Sequence, residues 1–459
     1  MKKSTKKFVT ETERKIPVRG RYDVIVVGGG PAGIGCAISA SMNGAKTLLV
    51  EKYGILGGMF TAGLVIGLHA DKLYPSKKFN ETKPLIGGIA QDFLRRLIDL
   101  GGAVEPEVYL KYTKMRSNYI PSDPEIMKVA AVQLVKEANV EMLLHSLGVR
   151  ALLEDNTVRG VFIENKCGRE ALLADVVIDA TGDGDIAASA GAEFEIASGK
   201  MLPMTLMVML GNVDYRKVKS YPPRSEGWKK IMEKALKAGF AKESILPERP
   251  IAPTFPIRFV SLPQKELDKY WQRKGETYGW GANYKGDCTD VVELTQAEIE
   301  TREKLIPMIN FLKRDVPGYE KCYIVATGAQ VGTRESRRIV GEYMLTAKGD
   351  IAQGRKHPDN ICQGRRNRGE LNEDTDAPFD IPYRCLVPKS IDGLLISGRC
   401  ISIDHTAGLI IAIRDGIQTM GIGEAAGAAA ALSSKKNARP RDLDVQLLRK
   451  TLVKQGMNI

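Results

Sequence analysis

Apolar positions along the chain switch between two periods, and the switches outline its elements. Tyr22 to Val27 is a short apolar run rich in β-branched residues and bounded by glycine, which predicts a buried parallel strand. Small and apolar residues follow at Ile34, Ala37, Ile38 and Ala40, as in a helix lying close on a sheet. Asn43-Gly44 ends that helix, and Lys46 to Val50 forms a second strand reaching Glu51. Further on, Asp123-Pro124-Glu125 opens a helix with an N-cap acid and a proline at its first position. Its expected buried face is Ile126, Val129, Ala130 and Leu134, and Asn139 is its stop. From Val140 to Thr181 the pattern becomes strands, VEMLLHS, VRALLED-NT-VRGVFIEN and EALLADVVIDAT, which read as a β-meander.

Residues 201–324 break from this pattern. Aromatic residues gather at Trp271, Tyr278, Trp280 and Tyr284, and Thr295-x-x-Glu298 reads as a capping box with Leu294 as its hydrophobic staple. This region is the expected substrate or cap domain. The charged stretch 346–378 reads as a long polar loop, with a mobile lid and a solvated insertion as equal alternatives. A turn at Ile391 to Gly393 then leads into a buried strand that stops at Gly398. From Ile413 onward small residues run through Gly421, Gly423, Ala425, Ala426 and Gly427 to Leu432, a helix able to approach a neighbour or a cofactor closely. Its N-terminal dipole would favour negative charge nearby.

Composition narrows the classes. The chain has 459 residues, 43% hydrophobic and 27% charged, which suits a globular protein with a large core. Its apolar runs fall short of the ~20 residues that span a bilayer. The N-terminal arm is basic with no apolar stretch behind it, so it does not read as a secretory signal, and the expectation is a cytoplasmic protein with no membrane partner. The seven cysteines are scattered and never spaced C-x-x-C, against a disulfide framework, an iron–sulfur site or a thioredoxin-type pair. Four unpaired histidines argue against structural zinc, so no metal is expected. The net charge of +12 is concentrated partly before Tyr22, where eight Lys/Arg face two Glu. A solvated tail is the preferred reading there, since an RNA contact would want aromatic stacking and the arm offers only Phe8 and Tyr22.

Between the first strand and the first helix lies Gly28-Gly29-Gly30-Pro31-Ala32-Gly33, a G-x-G-x-x-G fingerprint. Gly28 permits the tight turn, Gly30 lets backbone approach a pyrophosphate, Gly33 allows close helix–strand packing, and the helix N-terminus offers N–H groups to phosphate. Glu51, about twenty residues on, can accept from ribose hydroxyls. Strand, fingerprint, helix, strand and acid in register identify a dinucleotide site without separating NAD from FAD. A second fingerprint at Gly182, Gly184 and Ala187 is rejected, because Asp183 and Asp185 would oppose a pyrophosphate and the preceding meander is not a βαβ unit.

The next residues carry a resemblance. Glu51-Lys52, followed by Gly57-Gly58-Met59, resembles the glutathione-reductase-like flavoprotein superfamily, in which the Gly-Gly turn passes against the FAD pyrophosphate and a β-meander is inserted in the dinucleotide domain. With DATGDGDIAASAG, GTRESRRIVGEY at 332–343, IPYRCLVP, GRCIS and GEAAGAAAAL, the chain resembles the FAD-dependent oxidoreductase family, related to fumarate-reductase-type and heterodisulfide-reductase flavin subunits. The blocks cover about half the chain, and the iron–sulfur cysteines of the heterodisulfide-reductase branch are missing. The resemblance implies FAD as cofactor, held by Gly28, Gly30, Pro31, Ala32, Gly33, Glu51, Lys52, Gly57, Gly58, Met59, Ala180, Thr181, Gly182, Gly398 and Arg399. The expected fold is α/β: an FAD-binding, Rossmann-like domain of glutathione-reductase type with an inserted β-meander, plus a smaller α+β substrate or cap domain. Its expected divisions are an arm at 1–21, a discontinuous FAD domain at 22–200 and 325–435, the cap at 201–324, and a helical tail at 436–459.

In such an enzyme flavin N5 takes or gives a hydride while the protein orients the substrate and manages a proton. The catalytic candidates are His405, after the strand end that resembles the family's flavin-contacting turn, and Arg384 and Arg414 as guanidinium forks for an oxyanion. Arg334, Arg337 and Arg338, spaced as on a helix, read rather as a solvated or phosphate-neutralising face. His69 faces either the ring or solvent. The leading function is oxidation or reduction of a small polar metabolite, tilted toward an anion by these arginines. The alternatives are an FAD-dependent tRNA-modifying protein and a flavin subunit passing electrons to a partner protein. Homo-oligomerisation stays open.

Overall fold

The computed structural model describes residues 9, 11–73, 83–105, 108, 119–120, 122–196, 201–219, 226–237, 269, 275–365, 378–409 and 411–459. The first part of the expected basic arm (residues 1–8 and 10), Trp271, and residues 366–377 of the charged stretch lie outside the described residues.

The first strand, β1 (Val18–Val27), buries Val24 to Val27 and passes through the glycine turn into α1 (Pro31–Met42). β2 (Thr47–Val50) returns parallel to β1 with every residue buried, as a strand covered on both faces requires. α2 (Ile89–Asp99) and α3 (Pro124–Glu137) follow, then β3 (Glu141–Leu143), β4 (Leu147–Glu154), β5 (Thr157–Asn165) and β6 (Gly168–Asp179). These strands order as β3-β2-β1-β6-β5-β4 in one sheet. VEMLLHS does not join the meander. Its strand β3 pairs parallel with β2 at the sheet edge, while β4, β5 and β6 alone form the antiparallel meander. Long β6 serves both regions. Its first half pairs antiparallel with β5, whereas its carboxyl end runs parallel to a late strand at Leu394–Ile396.

α3 begins as its cap residues dictate: one Asp123 carboxylate oxygen accepts from the Glu125 and Ile126 amides at 2.8 and 3.1 Å. Its buried stripe is Met127, Ala130, Ala131 and Val135, with Ile126 and Leu134 packed partly buried against the core, so of the expected face Val129 alone is turned out and exposed. Asp123→Ala should cost about 1 kcal/mol of stability, read as a lower denaturation midpoint with flavin content unchanged.

A second sheet, ordered β8-β7-β9, contains β7 (Met204–Gly211), β8 (Thr277–Tyr284) and β9 (Tyr323–Thr327), all antiparallel. β9 crosses the expected 324/325 domain boundary. Alternation along β7 joins two cores: Met204, Leu206, Val208 and Leu210 face a separate cluster with Phe311, Leu312 and Tyr319, while Met207 and Met209 face the main core. Tyr278 also enters the main core. Helix α4 (Val291–Glu303) starts at Asp290, whose side chain accepts from the Val292 amide, so the expected capping box at Thr295 is overturned. Thr295 lies one turn inside and donates to the Val291 carbonyl.

Two more expectations change. Arg334 and Arg337 lie in extended chain leading to a short strand at Arg338–Ile339, not on a helix. The charged stretch is not one loop either: residues 347–351 form a π-helical turn and Asn360–Gly364 pairs with Phe379–Pro382, with Asp350, Ile351 and Ile361 buried. The chain then adds β10 (Leu394–Ile396) beside β6 and the long helix α5 (Gly416–Lys436), which crosses α1. Helix α6 (Val445–Lys454) follows. Among the described residues no helix is long and apolar enough to cross a membrane.

Candidate active site

A cleft of about 890 Å³ opens at the carboxyl ends of β1, β2, β6 and β10, where Gly28, Glu51, Ala180 and Gly398 line it. β2 and β6 lie on opposite sides of β1, so the chain divides there and leaves a crevice, the usual ligand position in such sheets. Its size falls within the ~300–1,000 Å³ of small-molecule and cofactor sites.

The turn wall is backbone. A Cβ on Gly33 would stand 1.7 Å from the Gly28 carbonyl oxygen, so α1 can leave the turn at this angle only with glycine there. Gly33 therefore stands behind the cleft while Gly28, Gly30, Pro31 and Ala32 line it. The Gly57 amide donates to the Gly29 carbonyl at 2.8 Å, joining the two glycine turns, and Gly58 and Met59 face the cleft beside Gly30. Glu51 is buried, accepting from the Gly29 amide at 2.6 Å and the Tyr53 amide at 2.9 Å, so it also pins the first turn to the second strand.

On the β6 side, Asp179 organises the turn. It accepts from the Thr181 amide and hydroxyl at 3.0 and 2.7 Å and from the Ala187 amide at 2.9 Å. Burial pushes its carboxyl up against these bonds. The two acids after it are engaged by arginines, Asp183 by Arg399 and Asp185 by Arg337. Burial raises the Asp183 carboxyl, but the Arg399 guanidinium, the Ser336 hydroxyl and the Lys52 charge together outweigh it and hold the group below its ordinary range. Arg399 also donates to Thr333 at 2.8 Å, and its Nε is buried with no hydrogen-bond partner among the described residues. This cradle fits a dinucleotide: an open glycine backbone at Gly30 with Gly58 packed closely beside it, the start of α1, and an unspent donor on Arg399. Lys52, Thr181 and Gly182 line the same part of the cleft, which is where these residues would hold FAD.

Across the cleft stand residues from the second sheet and α4, including Thr205, Met207, Tyr278, Leu294 and Ile299. The connecting chain 328–333 is tied to both walls: Tyr53 donates to Gln330, and Glu298 accepts from the Val331 amide at 2.8 Å. Beyond it the cleft ends in Phe60, His69, Arg334, Arg414, Asp415 and Thr419. His69 is 3% exposed and so faces the cleft rather than solvent. Asp415, at the start of α5, pairs with buried Lys72 at 3.0 Å.

The three catalytic candidates part company. Arg414 lines the cleft. Arg384 lies outside its lining, held by Asp359 at 2.9 Å and stacked over the Tyr343 ring. His405 is likewise outside, with its Nδ1 3.3 Å from Arg338 and 3.6 Å from Glu335, a buried ion pair. The sequence gives no local signal for Thr205 or Cys288 as cleft residues, because strands and loops far apart in the chain bring them there. Arg334 has a signal, its place after Gly332-Thr333, which its apparent helical spacing with Arg337 and Arg338 concealed.

A family model described as FAD dependent oxidoreductase matches residues 23–452. A dihydrolipoyl dehydrogenase of Trypanosoma brucei brucei is 44% identical over 80 residues, 16% of this chain and 17% of that protein. The tRNA uridine 5-carboxymethylaminomethyl modification enzyme MnmG of Bacillus subtilis is 28% identical over 158 residues, 32% of this chain and 22% of that one. The chain thus spans about a fifth of the length of these curated relatives. Among solved structures, a geranylgeranyl bacteriochlorophyll reductase-like protein from Thermoplasma acidophilum is 16% identical, with 95% of this chain and 84% of that one covered and a TM-score of 0.46.

Proposed function

The chain belongs to the FAD-dependent oxidoreductase family, and from that premise we propose that its FAD lies along this cleft and that the enzyme oxidises or reduces a small polar metabolite by hydride transfer. The observation that carries the reading is the continuity of the cleft from the glycine turns to a polar far end that holds Thr205, His69 and two arginines. FAD, when bound, supplies at N5 the atom that takes or gives the hydride.

The protein's own residues do the rest. Gly28, Gly30 and Gly58 present backbone to the dinucleotide, and Arg399, fixed by Asp183, offers its Nε and its positive charge. Leu294 and Ile299 of α4, with Met207, give the opposite wall an apolar surface that keeps water from a bound ring. His69 is the histidine on the cleft wall and is placed to hold or pass the proton that accompanies the hydride.

The test is the visible spectrum of the purified protein, repeated without oxygen while organic acids, sugars, amines and NAD(P)H are added in turn. The expected result is a flavin band that one class of small compound bleaches. A band that none of them bleaches overturns the small-metabolite reading, and stripped protein that takes up no FAD overturns the cleft assignment.

A further inference from the structure

At the far end of the cleft Arg334 carries a positive charge that is held, among the described residues, by neutral hydrogen-bond partners. Among the described residues every acid on the cleft wall is already engaged: Glu51 by the Gly29 and Tyr53 amides, Asp183 by Arg399, Asp185 by Arg337, Glu298 by Arg302, and Asp415 by Lys72. Arg334 is held differently. One terminal nitrogen donates to the Pro203 carbonyl and to the Thr205 hydroxyl, both neutral acceptors at the start of β7. Those bonds fix the direction of the fork without neutralising it. Arg414 adds a like charge close enough to act on Arg334.

Desolvation and that repulsion push the Arg334 guanidinium down to about 9, so it remains charged at neutral pH at an electrostatic cost. A fixed, desolvated cation beside a second cation costs free energy, and an arriving anion offsets that cost while gaining charge-assisted hydrogen bonds. The adenosine and phosphate cradle does not account for it, because Arg334 is anchored on β7 and faces Arg414, which stands beside the start of α5.

Resting on the reading of the cleft given above, the geometry points to Arg334, with Arg414, as the subsite for a carboxylate or equivalent oxyanion of the substrate. Thr205 is a positioning residue: it orients the Arg334 fork and is itself fixed by a hydrogen bond to Asn283.

The test uses the holoenzyme and follows the flavin difference spectrum during titration with acetate, malonate, succinate, sulfate and phosphate. Malonamide and succinamide serve as neutral isosteres. The wild type is expected to bind at least one of the acids and neither amide. Arg334→Gln should weaken that binding at least about 30-fold, the lower end for truncating one partner of a buried charge pair, while retaining its flavin. Arg334→Lys should recover part of the loss. Equal response to acids and amides, no response to any anion, or unchanged affinity in Arg334→Gln overturns the subsite. A neutral compound that bleaches the wild-type flavin would overturn the subsite yet leave the oxidoreductase reading standing. Tight sulfate or phosphate binding with no carboxylate response would assign the arginines to an inorganic oxyanion, overturning a carboxylate substrate.

Discussion

Gly423→Ala should purify with little or no flavin and lose about 3 kcal/mol of stability, the upper part of the range for overpacking a well-packed core. The Cβ introduced there would lie 2.1 Å from the Ala32 carbonyl oxygen and 3.1 Å from the Cys36 amide nitrogen. Both are backbone atoms of α1, so no side-chain rotation relieves the contact, and α1 and α5 must separate. The same close approach recurs one turn on, where a Cβ on Gly427 would stand 2.1 Å from the Cys36 carbonyl oxygen. Ala32 is also a wall of the cleft, so the displacement reaches the cofactor cradle directly. Gly421→Ala is the control on the same helix. Its nearest neighbours would be side-chain atoms, Ile86 Cγ2 at 3.1 Å and Cys362 Sγ at 3.3 Å, which have room to adjust. It should cost less than about 1 kcal/mol, since alanine is also the better helix former. Flavin-to-protein absorbance ratios and urea midpoints for both variants decide the matter, and equal behaviour of the two would sink the backbone-contact argument.

These same glycines show why part of the molecule was legible in the sequence. A backbone that approaches another backbone leaves no choice of residue, so the fingerprint at Gly28 to Gly33 and the small-residue run of α5 announce themselves in the chain. The Asp123 cap is equally local, since the acid and the amides it accepts from lie within three residues. What failed depended on competition or distance. Thr295-x-x-Glu298 has the letters of a capping box, but Asp290 supplies a cap five residues earlier and Glu298 is drawn to Arg302 and the Val331 amide. Arg384 is a free fork in the sequence and is taken in the fold by Asp359, 25 positions away. Arg334 looked like one side of a helix. Only the second sheet, by offering Pro203 and Thr205, turns it toward the cleft. Pairings of this range are set by tertiary packing, which local pattern does not encode.

Glu424→Gln should remove a large part of the protein's loss of stability between mildly acidic and mildly alkaline pH. Glu424 lies on α5 with no exposed surface, and its Oε2 accepts from the Ile89 amide at 2.8 Å. Ile89 is the first residue of α2, whose N-cap is Gly88 and has no side chain to offer, so the carboxyl of one helix closes the end of another. Burial drives this carboxyl up to about 8; the Ile89 amide opposes the rise and Asp92 on α2 adds to it. Buried Cys362, on the strand behind, also feels the Glu424 charge, as it feels that of Lys72. A folded pKa above the ordinary 4.5 means that the native state holds a proton the unfolded chain releases. The stabilisation is therefore complete below about pH 4.5, falls as pH rises, and is gone above about pH 8. Across that window the difference amounts to roughly 5 kcal/mol at ~1.4 kcal/mol per pH unit. Glutamine keeps a carbonyl for the Ile89 amide and carries no titrating proton. Urea denaturation of both holoproteins from pH 5 to 9 should give curves that converge at the acid end and diverge as pH rises, with the variant the more stable at pH 9. Parallel curves would mean that Glu424 ionises at its ordinary pH and that water reaches the junction of α2 and α5.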